Sequence, residues 1–191
     1  MRVRLSAIWI GAVLCATSLV AAVVFLVAAA QVPASPSATA AATPVVSAEP
    51  VTPPYPYANS SRVGPWGFTT CHDTDYIAWR FFDRDVSFAK SMTGPNGKTV
   101  TFGDPGTWAT SAAGVGFTVD GVARAGAIAQ WQGGEDGATA AGHVAYVDRV
   151  NADGSVVLSE FDWTVKHGYS QRGEAGQAPV RAPRYIHIKD L

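Results

Sequence analysis

Residues 142–163, GHVAYVDRVNADGSVVLSEFDW, constrain the fold more than any other stretch, because two runs of strand-forming residues are separated only by a turn. From His143 the side chains alternate, with Val144, Tyr146 and Asp148 on one face and Ala145, Val147 and Arg149 on the other. Period-two alternation predicts a half-buried strand. Residues 151–154 carry the turn signal NADG, and residues 156–161 return as a second strand. Glu160 and Asp162 are two residues apart and so share one face of it. Pairing about Asp153 and Gly154 brings these carboxylates back to His143. A histidine beside a carboxylate is how a protein orients an imidazole for acid–base chemistry.

The N-terminal part has a different character. Residues 5–30 contain no charged side chain and follow Arg2 and Arg4. At about 1.5 Å per helical residue they are long enough to cross a bilayer core of about 30 Å. The reading is a signal anchor over residues 1–30, with the small residues Ala28 to Ala30 leaving signal-peptide cleavage as the alternative. The arginines precede the span, so the positive-inside bias sets the rest of the chain outside a cell membrane, or secreted if the segment is cut. Residues 31–60 hold seven of the 12 prolines and the single charge Glu49. They are expected to be a disordered linker, because so little of the segment can be buried.

The domain is then expected over residues 61–191. Its 12 basic and 14 acidic side chains leave no electrostatic footprint for nucleic acid. The two cysteines, Cys15 and Cys71, fall on opposite sides of the linker, so Cys71 is the lone thiol of the domain. Tyr76, Ile77, Arg80 and Phe81 recur at helical spacing. Thr70 and Asp73 have the spacing of a capping box, which would start that helix at Cys71; Asp73 as the cap itself is the other register. Residues 87–102 read as a loop with a hairpin turn, residues 106–113 as a short helix, 124–131 and 185–188 as strands, and 132–142 and 168–178 as glycine-rich loops. Helices followed by hairpin-linked strands predict an α+β domain with an antiparallel sheet.

The pieces PWGF (65–68), YIAWR (76–80), GAIAQW (126–131), GHVAYV (142–147), DGSVVLSEFDW (153–163) and YIHIKDL (185–191), with Trp108 and Ala109 between them, occur in an order and spacing that resembles the CHAP domains of bacterial cell-wall lytic proteins. The name stands for cysteine, histidine-dependent amidohydrolase/peptidase. The resemblance implies a papain-like core, with a helix-borne cysteine packed against a sheet that presents histidine, glutamate and asparagine. It also implies cleavage of amide bonds in peptidoglycan, so peptidoglycan or its stem peptides are the expected partner. The family histidine falls on His143, the glutamate on Glu160 and the asparagine on Asp162. The cysteine position falls on Asp73, and Cys71 lies two residues too early. On a helix that displacement swings a side chain about 200° around the axis and moves it about 3 Å along.

Two functions follow from these residues. In one the domain binds wall peptides but is degenerate as a cysteine hydrolase, with Asp73 beside His143 holding the imidazole charged. In the other Cys71, His143 and Glu160 form an active amidase or endopeptidase. Asp162 accepts hydrogen bonds where asparagine would donate them. Trp66 and Trp163 flank the site segments and are expected to line a substrate groove. His72, His167 and His187 read as structural or exposed. Asp73, His143, Glu160 and Asp162 have the side-chain types for a divalent metal, but no spaced metal motif accompanies them, so neither metal nor cofactor is expected.

Overall fold

The computed structural model describes residues 55–191. The expected membrane segment and most of the expected linker lie outside this range. Among the described residues no helix is long and apolar enough to cross a membrane.

The domain is α+β. Helix α1 (Asp73–Phe82) leads, followed by a small hairpin of β1 (Ser91–Thr93) and β2 (Thr99–Thr101) and a second helix α2 (Trp108–Gly114). Six further strands follow: β3 (Thr118–Asp120), β4 (Ile128–Trp131), β5 (His143–Val150), β6 (Val156–Phe161), β7 (Tyr169–Arg172) and β8 (Arg184–His187). They form one sheet in the order β3-β8-β4-β5-β6-β7, and each neighbouring pair is antiparallel.

The hairpin of β5 and β6 lies inside this sheet, flanked by β4 and β7, and the turn between them closes with Asn151 N–H donating to Ser155 O at 2.8 Å. Its strands are covered on both faces, where alternation alone predicted one. Val144 and Tyr146 join a core with Ile77, Phe81 and Trp108 from the helices. Ala145 and Val147 pack on the other side with Trp131, Leu158 and Tyr185. The alternation is real, but both sets of side chains are apolar enough to be buried. Each buried aliphatic or aromatic side chain contributes about 1.5–3 kcal/mol. A bulge at Asp148 shifts the register, so that Val147 faces Leu158 while Arg149 faces Val157. The bulge aims Asp148 at Arg80 of α1, with Asp148 Oδ1 at 2.8 Å from Arg80 Nη1.

Three local expectations are corrected. The strand expected over residues 124–131 begins only at Ile128, because Gly126 (φ 87°) turns the chain first. The loop expected over 168–178 contains β7, whose Tyr169–Arg172 pairs along β6. The last residues assigned to the linker belong to the fold: Tyr55 is buried against Tyr76, Trp79 and Phe161. Its hydroxyl donates to Asp75 Oδ2 at 2.6 Å and accepts the Cys71 N–H at 3.1 Å.

Tyr55→Ala therefore removes a packed ring and leaves the buried Asp75 carboxylate without its donor. It is expected to cost about 3–5 kcal/mol, the range for deleting a buried aromatic. Urea unfolding of the variant against wild type measures this, and a change under 1 kcal/mol, about the level of an ordinary surface substitution, would return residue 55 to the linker.

Candidate active site

Helix α1 starts at Asp73, with His72 as an extended N-cap residue (φ −130°, ψ 161°) that makes no side-chain cap bond. Both registers expected from sequence are thus displaced. The Thr70 hydroxyl is used elsewhere, donating to Ser60 O at 2.7 Å, so no capping box forms. Asp73 and Asp75 lie in the first turn, where the positive end of the helix favours carboxylates.

Asp73 is the residue that α1 presents to the sheet. Its Oδ2 accepts the Val144 N–H at 3.1 Å and lies 3.1 Å from His143 Nδ1. Its Oδ1 accepts the Thr74 N–H at 2.8 Å. On the other edge of the imidazole, His143 Nε2 lies 3.0 Å from Glu160 Oε2. Glu160 is in turn held by Arg172 of β7 through Nε to Oε1 at 2.7 Å and Nη2 to Oε2 at 2.9 Å, and Ser170 Oγ donates to Oε1 at 3.3 Å. The row Asp73, His143, Glu160, Arg172 alternates in charge and is largely buried. Sequence reading missed Arg172; the signal was a strand-length polar run, YSQR, immediately after Gly168.

A neutral imidazole carries one N–H and one lone pair, yet both nitrogens face carboxylate oxygens. Only the imidazolium donates to both. Burial by itself would lower the His143 pKa, but the hydrogen bonds to Asp73 and Glu160, and their charges, outweigh it and raise the pKa above the ordinary histidine value. Trp163 covers the ring at 4.6 Å between centroids, and the Arg172 guanidinium lies 4.4 Å from the Trp163 centroid.

The other expected site residues go elsewhere. Cys71 has a left-handed backbone (φ 66°), and its thiol donates to Ala58 O at 2.9 Å within a cluster that includes Tyr55, Tyr76, Trp79 and Phe161. Burial, and then the Asp162 charge, push this thiol's pKa up, which favours the unreactive protonated form. Asp162 makes no ion pair with His143; its carboxylate pairs with His72 and His167. β6 ends at Phe161, and a φ of 61° at Asp162 turns its carboxylate toward His72 and His167. Trp66 packs on Tyr57 and Phe82 and is not part of the groove wall. Trp163 is part of that wall, with Phe68, His72, Asp73, Lys90, Asp104, Thr139, His143 and Asp162, around a space of about 750 Å³. His187 is structural: its ring bonds Asp120 at 3.1 Å and Asp190 at 2.9 Å, joining β8 to β3 and to the C-terminal residues.

The constellation is thus a histidine at the start of a central strand, a glutamate on the next strand and an aspartate at the helix N-terminus opposite. The CHAP domain sequence profile matches residues 62–161, and the chain belongs to that family. It is similar to the N-acetylmuramoyl-L-alanine amidase sle1 of Staphylococcus epidermidis, 30% identical over 132 residues, which are 69% of this chain and 35% of that protein. It is also similar to the staphylococcal secretory antigen ssaA2 of Staphylococcus aureus, 46% identical over 87 residues, 46% of this chain and 31% of that protein. The chain thus spans about a third of the length of these curated relatives. A crystal structure of an N-acetylmuramoyl-L-alanine amidase from Staphylococcus aureus superposes with a TM-score of 0.48 at 26% identity, covering 61% of this chain and 30% of that one.

Two outcomes follow from the charged row. The raised His143 pKa means that the folded state binds its proton more tightly than the unfolded chain does. The resulting stabilisation is complete below the unfolded histidine value of about 6.5 and is lost as pH rises through the folded pKa. Urea midpoints measured from about pH 5 to about pH 9 should fall across that window, and His143→Gln should remove this component. Arg172→Met leaves the buried Glu160 without its guanidinium and should cost about 3–5 kcal/mol by the same measurement.

Proposed function

We propose that this CHAP domain binds stem peptides of peptidoglycan in the groove beside His143 and does not cleave them as a cysteine hydrolase. The observation that carries the reading is the occupant of the position facing His143 Nδ1: it is Asp73 Oδ2, at 3.1 Å, while the Cys71 thiol points to Ala58.

A cysteine hydrolase needs a thiolate beside the imidazolium, so that sulfur attacks the amide carbon and the imidazolium then gives its proton to the leaving amine. Here a carboxylate stands where the thiolate would be. It supports the same ion pair, but its attack on an amide would form a mixed anhydride while expelling an amine, and a carboxylate is a weak nucleophile for that step. Imidazolium and carboxylate instead offer fixed charges to a bound peptide. Lys90 on the groove wall adds a cation suited to the carboxylates of wall peptides, and Trp163 adds an apolar face. The similarity to an N-acetylmuramoyl-L-alanine amidase supports a ligand of wall-peptide type. The same reading has residues 5–30 holding the domain outside the cell membrane, or releasing it if they are cut.

The purified full-length protein should sediment with insoluble peptidoglycan and release no soluble fragments from it. Release that Cys71→Ala abolishes would overturn the proposal in favour of an active cysteine hydrolase. Asp73→Cys sets a thiol opposite His143 Nδ1 and should produce a gain of fragment release, read by the appearance of new amino groups.

A further inference from the structure

The loop after β6 gathers groups that the Asp73–His143–Glu160 row does not use. Asp162 Oδ2 lies 3.2 Å from His72 Nδ1, and Asp162 Oδ1 lies 3.8 Å from His167 Nδ1. One ring nitrogen from each histidine and one oxygen of Asp162 all lie within 4.8 Å of one another. The two imidazoles stand edge to face, 5.4 Å between centroids and 87° between planes. We infer that His72, Asp162 and His167 form a binding site for a divalent transition-metal ion of the zinc class.

Donor type and spacing both point this way. Two imidazole nitrogens and one carboxylate oxygen match zinc and its first-row neighbours, whereas calcium and magnesium take oxygen donors. Donors bound to one ion at about 2.0–2.2 Å in tetrahedral geometry are about 3.4 Å apart. One donor atom from each of the three residues lies within 4.8 Å of the other two, so side-chain rotations of about an ångström bring them to that spacing.

The three residues are also held from behind, as metal ligands require. His72 is the N-cap residue of α1, which is packed against β5 and β6. Asp162 N–H donates to Gly168 O at 2.9 Å, and His167 N–H donates to Asp162 Oδ1 at 2.8 Å. The Cys71 carbonyl lies 3.2 Å from His167 Nδ1 and takes its N–H, which leaves Nε2 as the His167 nitrogen for the ion. By contrast, both nitrogens of His143 and both of His187 already face carboxylates buried with them or packed at the sheet edge, and neither histidine has a second one beside it.

His72 and Asp162 line the same groove as His143 and Trp163. Three protein donors leave a coordination position for water or for a carboxylate oxygen of a molecule in that groove. The site stands apart from the question of wall-peptide binding, since it rests on its own three side chains.

Untagged full-length protein is titrated with Zn²⁺ by calorimetry and with Co²⁺ by visible absorption. Wild type should bind one ion per chain, with Co²⁺ giving the ligand-field bands of a low-coordinate nitrogen and oxygen site. Asp162→Asn keeps the side-chain shape, and His72→Ala removes a half-exposed ring that makes no cap bond. Each should weaken Zn²⁺ binding by more than about tenfold while far-UV circular dichroism stays at the wild-type value. Absence of saturable binding to wild type overturns the site, as does unchanged affinity in the folded variants.

Discussion

The structure depends on a histidine pinned between two carboxylates. His143 of β5 meets Asp73 of α1 on one edge and Glu160 of β6 on the other, and Arg172 of β7 completes the row. A single buried ion would be expelled or neutralised. Four of alternating sign sum to no net charge, and adjacent members lie 3.1, 3.0 and 2.7 Å apart. The same contacts join the helix to three adjacent strands, so the site and the packing of α1 on the sheet are one arrangement. Val144 N–H adds a backbone bond to Asp73 and fixes where the helix begins relative to β5.

The first turn of α1 decides which side chain faces His143. Only His72 separates Cys71 from Asp73, yet the two side chains face different parts of the structure. Cys71 lies before the helix in a left-handed conformation and faces the aromatic cluster under Tyr55; Asp73 is the first helical residue and faces the sheet. The thiol is bonded to the Ala58 carbonyl, and its burial favours the protonated form. Asp73 and Glu160 face the two edges of the imidazole, and together they raise its pKa.

Much of this was legible in the sequence. The β5–β6 hairpin and its turn follow from alternation and from the NADG signal, whereas the meeting of His143 with Glu160 also needs the bulge at Asp148: the register of Val150 with Val156 alone would set Glu160 opposite Tyr146, on the other face. The α+β class followed from helices preceding a run of strands. What was not legible depended on backbone torsions at single non-glycine residues. A positive φ at Asp162 sends that carboxylate to His72 and His167, although alternation puts it beside Glu160. Arg172 was hidden because its strand is short, polar and set among glycines, so nothing in its composition announced pairing with β6. Trp66 was drawn to the groove by proximity in sequence to the helix, while its ring found Tyr57 and Phe82 instead.

Tyr55 gives the chain's entry point a mechanical character. Its hydroxyl is bonded to Asp75 and to the Cys71 backbone, one on each side of Asp73, and its ring is wedged between α1 and Phe161 of β6. Tension on the chain ahead of Tyr55 therefore enters the domain at the first turn of α1, next to the Asp73–His143 contact. The load would be shared between a hydrogen-bonded phenol and the charged row before it reached the sheet, so the groove beside His143 and the segment at Tyr55 would yield together.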